Sequence, residues 1–91
     1  MVEVTLCADN SEGAEIGFGA LNPDAVALVE LLNPHAADYR RTIVRVTLMS
    51  GRELFVALAG AKLTSNHDEH QSRYREFARS LLQAKSPLAA L

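Results

Sequence analysis

The sequence predicts a small α+β domain: an antiparallel sheet of about four or five strands packed by one C-terminal helix. Three observations predict it. Short segments near the start and the middle alternate apolar and polar residues with a period of two. A segment near the end repeats its apolar residues at helical spacing. The chain has 91 residues, enough for one hydrophobic core and not for two, so residues 1–91 read as one domain.

Val2, Val4 and Leu6 fall on one face of a first strand. Asp9-Asn10-Ser11-Glu12-Gly13 is a dense turn signal. Ile16 and Phe18 alternate with Gly17 and Gly19 in a second strand, and glycines there predict an irregular ladder. Residues 25–32 satisfy two rules at once. Asn22-Pro23-Asp24 is a good helix start, with a cap, proline in the first turn and an acid at the positive end of the dipole. The eight residues before Asn33-Pro34 suit a buried strand equally well. Strand and short helix both remain open from composition.

Residues 33–41 read as a loop. Residues 42–48 and 52–59 form a hairpin around Met49-Ser50-Gly51. A two-residue loop would scatter the apolar rows over both faces. A three-residue loop, with Gly51 as the left-handed residue, sets Val46 opposite Leu54 and Val44 opposite Val56, so the three-residue loop is expected. The reverse face then carries Ile43, Arg45, Thr47, Glu53, Phe55 and Ala57. The final helix spans about residues 67–84, capped by Asn66 or Ser65, with Asp68 or Glu69 in a capping-box position. Tyr74, Phe77, Ala78, Leu81 and Leu82 form its apolar stripe. Ser86-Pro87 ends it and leaves a frayed tail over 86–91.

Charge divides the chain sharply. Residues 1–39 hold seven acids and no Lys or Arg, a charge of −7, while residues 40–91 hold nine bases against four acids, +5. Hydrophobic residues at 48% and charged residues at 22% exclude the disordered class. One cysteine, Cys7, excludes an intrachain disulfide framework. With neither a signal-peptide pattern nor a membrane-length apolar run, a cytoplasmic, membrane-free setting is expected. Seven Arg against two Lys, with abundant Ala, fits the coding bias of a GC-rich bacterial or phage genome.

The order of these pieces resembles the small FlbD-type proteins found among bacterial flagellar genes. The resemblance rests on the hairpin over 2–20, Leu21-Asn22-Pro23-Asp24, the segment 25–30 ending in Val29-Glu30, the hairpin around Ser50-Gly51 and the helix over 67–84. It spans most of the chain. The loop at 33–41 is longer here than in that pattern, and 64–66 is an extra polar stretch. The resemblance implies that residues 25–32 are a strand. It carries no catalytic residue with it, only a regulatory or accessory role exerted through protein contacts.

Candidate sites are few. His67 and His70 stand at i and i+3 with Asp68 and Glu69 between them, a spacing that could serve a metal. Only Cys7 and His35 could complete such a site as soft or borderline ligands, so a solvated helix start is expected and no metal or cofactor. Cys7 has no local signature of a nucleophile. Arg40, Arg41, Arg45 and Arg52 cluster near the hairpin with Phe55 beside Arg45, and Arg73, Arg75 and Arg79 lie on the helix. Such a set can grip phosphates and stack on bases. The net charge of −2 argues against it. One helix covers one face of a sheet, which leaves Ile43, Phe55, Met49 and the tail at 88–91 as surplus apolar residues. The expectation is therefore a non-enzymatic protein-binding module, acting as a homodimer in a regulatory role, with a nucleic-acid-binding regulator as the alternative.

Overall fold

The computed structural model describes residues 1–8, 15–32, 39–59 and 62–85. The turn at 9–13, most of the loop containing His35 and the tail at 86–91 lie outside the described residues. The elements run β1 (Val2–Cys7), β2 (Glu15–Leu21), a 3-10 turn (Pro23–Ala25), β3 (Val26–Leu31), β4 (Arg40–Arg41), β5 (Ile43–Leu48), β6 (Glu53–Ala57), β7 (Leu63–Thr64) and α1 (His67–Ala84). Five strands form an antiparallel sheet in the order β2-β1-β6-β5-β3, and β4 pairs with β7 as a separate ribbon. The α+β class expected from the sequence is the fold observed.

The segment that satisfied two rules divides between them. The Asn22 side chain accepts from the Asp24 amide at 3.1 Å, and Pro23–Ala25 makes one 3-10 turn. The extended chain then begins at Val26. A cap and a proline can start a helical turn, but the apolar Val26, Val29 and Leu31 are wanted by the sheet, where they face Leu48, Val46 and Val44.

This short connection shapes the whole sheet. β2 and β3 lie at opposite edges of five strands, about 19 Å apart if the sheet were flat. The five Cα steps from Leu21 to Val26 reach about 17 Å when fully extended, and a 3-10 turn shortens them. The sheet must therefore curl, bringing the Leu21 end of β2 and the Val26 end of β3 closer than a flat sheet would place them. Its core face is a row of small branched residues, with Val44, Val46 and Val56 fully buried among Val4, Leu21, Val26 and Leu58. Helix α1 closes this side by laying Tyr74, Phe77 and Leu81 on the same cluster. The Tyr74 hydroxyl donates to the Val29 carbonyl at 3.3 Å.

The central hairpin has the expected three-residue register, with Val46 opposite Leu54 and Val44 opposite Val56. Gly51 takes φ +90°, a conformation that L side chains resist, and its amide donates to the Leu48 carbonyl at 2.8 Å. The irregularity expected in β2 is a bulge: Leu6 faces Gly17 and Cys7 faces Glu15, so Ile16 is the extra residue.

Four expectations need correction. Residues 40 and 41 are strand β4, not loop, because a two-residue ladder has no periodicity to read. Ile43 is not surplus. It is buried on the reverse face with Cys7 and Ala57, against Leu32 and half-buried Phe55. Leu82 leaves the helical stripe and is 68% exposed, whereas Leu81 is 3% exposed. His70 is not part of a solvated helix start but is 2% exposed.

Candidate functional site

The arginines singled out in the sequence do not form one patch. Arg40 and Arg41 lie on β4, before β5, while Arg52 lies beyond its far end, where the Leu48 amide donates to the Arg52 carbonyl at 2.8 Å. The six residues of β5 separate them by roughly 20 Å. Arg45 and Phe55 are brought together as cross-strand partners. Arg45 is also opposite Glu30 on β3 and binds its carboxylate through two parallel bonds, Nε to Oε1 and Nη2 to Oε2, both 3.0 Å. Those bonds hold the Glu30 carboxyl below the usual carboxylate range, with the guanidinium charge adding to them and partial burial opposing. The acidic first half and the basic second half thus meet inside the sheet. Strands from residues 1–39 flank the β5–β6 hairpin on both sides.

Cys7 is buried, and that burial pushes its thiol pKa up, with the Arg41 charge partly opposing. A protonated, inaccessible thiol is a poor nucleophile and a poor metal ligand. Among the described residues, no group of three or more His, Cys, Asp or Glu could hold a metal ion.

His70 joins three elements instead. Its Nδ1 is 2.7 Å from the Thr42 hydroxyl and its Nε2 is 3.1 Å from the Thr64 carbonyl. Both ring nitrogens are therefore engaged, which removes His70 as the metal ligand that its spacing from His67 suggested. Arg73 donates to the Thr42 hydroxyl at 3.0 Å, to the Lys62 carbonyl at 2.9 Å and to Glu69 at 3.0 Å. The helix start is capped by Asn66, whose Oδ1 accepts from the Asp68 and Glu69 amides. The expected capping box is lengthened by one side chain. The Asn66 amide donates to the Thr64 hydroxyl, which donates to Glu69 at 2.8 Å. Burial pushes the His70 pKa below that of a free imidazole; Arg73 and His67 add to the effect, while the bond to Thr64 and the charge of Glu69 oppose it.

Of the depressions on the described surface, two involve the edge strands β2 and β3. A broad one of about 490 Å³ lies on β1 and β2, bordered by Glu3, Thr5 and Phe18, which is 80% exposed. It has strands for a floor and no second element as a wall. The other, about 260 Å³, lies between β3 and the C-terminal half of α1. Leu28 on the sheet side is 52% exposed, and Leu82 on the helix side protrudes similarly. Ala27 and Ala78 keep the space between them open, and among the described residues that line it Lys85 is the charged one. The register shift between Val26 and Leu28 makes Ala27 the bulged residue, so the free edge of β3 is interrupted there.

No described helix is long and apolar enough to cross a membrane. No family model, no curated protein and no solved structure matches the chain.

Proposed function

We propose that this domain is a non-enzymatic protein-binding module that associates with a second copy of itself through the cleft between β3 and α1. The observation that carries this reading is the pairing of protruding Leu28 and Leu82 with a recess floored by alanines on the same patch. A two-fold contact requires a surface that is its own complement, and protrusion beside recess meets that need. The bulge at Ala27 directs the contact toward side-chain packing and away from strand addition. The patch is small beside the roughly 800 Å² per partner of a stable interface, so association belongs at micromolar concentrations. A regulatory or accessory role accords with such a reversible contact and with the resemblance to FlbD-type proteins. Nucleic-acid binding is less well supported, because Glu30 already matches the charge of Arg45.

Light scattering at micromolar concentration tests the proposal. A dimeric mass that falls to monomeric in Leu28→Asp and Leu82→Asp is expected. A monomeric wild type, or a dimer that survives both substitutions, overturns it.

A further inference from the structure

The hydrogen bonds around His70 favour one protonation state of its ring. The Thr64 carbonyl only accepts, so Nε2 carries the ring proton and Nδ1 accepts from the Thr42 hydroxyl. The Thr42 oxygen accepts in turn from Arg73. Donors therefore run one way, from Arg73 to Thr42 to His70 to the Thr64 carbonyl. A second ring proton would make Nδ1 a donor facing a hydroxyl whose oxygen already receives Arg73. The hydroxyl hydrogen would then lose its acceptor in a buried place, the costly half of a broken hydrogen bond.

The charges around the ring give the same sign. On α1, Arg73 and His67 oppose an imidazolium and Glu69 favours it. The Glu69 carboxylate is already held by Arg73 and the Thr64 hydroxyl. Among the described residues, the groups that the ring bonds on the strand side, Thr42 and Thr64, are uncharged. The charges that those segments carry, Arg40, Arg41 and Lys62, are all positive.

We propose that His70 is an acid-sensitive latch: its neutral ring fastens the β4–β7 ribbon to the start of α1, and a second ring proton releases it. The ribbon gains from that fastening. Its own ladder has two rungs, Arg40 with Thr64 and Arg41 with Leu63, and so short a pair does not stand alone in water. The network around His70 and Arg73 ties Thr42, which follows β4, and Lys62 and Thr64 on the β7 side to the helix. Release would free a segment that presents exposed Tyr39 and Leu63 without unthreading the five-stranded sheet. The latch is independent of the dimer cleft, which lies at the other end of α1.

The test is amide hydrogen exchange of the ribbon from pH 7.5 to 5.0, alongside an NMR titration of the His70 ring. Protection factors, corrected for intrinsic exchange, should fall by up to tenfold per pH unit below about 6.5, the signature of one proton taken up on opening. Ring nitrogen shifts should show the Nε2–H tautomer at neutral pH and a midpoint below that of a free imidazole. In His70→Gln, whose amide can both accept from Thr42 and donate to Thr64 but cannot titrate, the ribbon's protection should be flat over this range. A ribbon whose protection is flat in the wild type, or falls equally in His70→Gln, overturns the latch. So does a wild-type ring that titrates at or above 6.5, a measurement that needs no variant to fold.

Discussion

Leu81 and Leu82 are adjacent, chemically identical and oppositely placed, so truncating each in turn isolates the contribution of burial. Leu81→Ala removes three carbons from a side chain that is almost fully enclosed against the core. At about 0.8 kcal/mol per buried methylene that is about 2.4 kcal/mol, to which a residual cavity adds. Leu81 also lines the open cleft, where Leu28 and Lys85 can move inward, so the sum should lie at about 2.5–3.5 kcal/mol. A chain of this length has a total stability of about 5–14 kcal/mol, and the loss should lower Tm by about 10–25 °C. Leu82→Ala should change the stability of the dilute monomer by less than about 0.5 kcal/mol. Urea unfolding of both variants at low protein concentration measures the difference. A Leu81→Ala cost below about 1 kcal/mol, or a Leu82→Ala cost that equals it, would refute the placement of α1 on the core face of the sheet.

Thr42→Val conserves shape but deletes the hydroxyl between Arg73 and His70, leaving Nδ1 without a donor; a loss of about 1–3 kcal/mol is expected in urea unfolding. Stability should also decline toward acid pH. The folded-state pKa of His70 is lowered, so the unfolded chain binds the extra proton first, and stability complete above about 6.5 declines as pH falls below it. Glu30 and Glu69 are also held low, Glu30 by its bonds from Arg45 and Glu69 first by the Thr64 hydroxyl. Their contributions are present above about 4.3 and are lost as pH falls further. The raised thiol of Cys7 acts in the opposite direction and removes stability above about pH 8.5. Thermal melts from pH 4 to 9 check all three; a Tm that is level between pH 7 and 5 would contradict the buried neutral His70.

The parts of this fold that were legible in the sequence are those fixed by local pattern. Gly51 and two apolar rows determined the hairpin register, and Asn66 with the stripe through Tyr74, Phe77 and Leu81 determined the helix. Residues 22–31 were ambiguous because a capping signal and a strand signal abut, and tertiary pairing with β5 decided where one stops. The β4–β7 ribbon was not legible, since two-residue strands separated by more than twenty positions leave no period. His70 was hidden by its chemistry more than by its position. It stands four residues before Tyr74 and seven before Phe77, so it continues the apolar stripe. That spacing was the available signal. The basic cluster failed for a related reason: Arg45 and Arg52 are near in sequence, but the carboxylate that answers Arg45 comes from β3.

The pairing of β1 with β6 has a consequence for how the chain is made. Thr5 and Leu6 await Ala57 and Val56, which are synthesised about fifty residues later. At about 5–20 residues per second that is a wait of several seconds, during which Val2, Val4 and Leu6 have no core to enter. Everything made in that interval up to residue 39 carries acids and no Lys or Arg. Residues 1–39 thus bear a charge of −7 while their apolar row waits for its partners. The bases arrive with the hairpin that completes the sheet, and the charge over residues 1–91 comes to −2. The asymmetry of charge along the chain is, in this sense, a schedule.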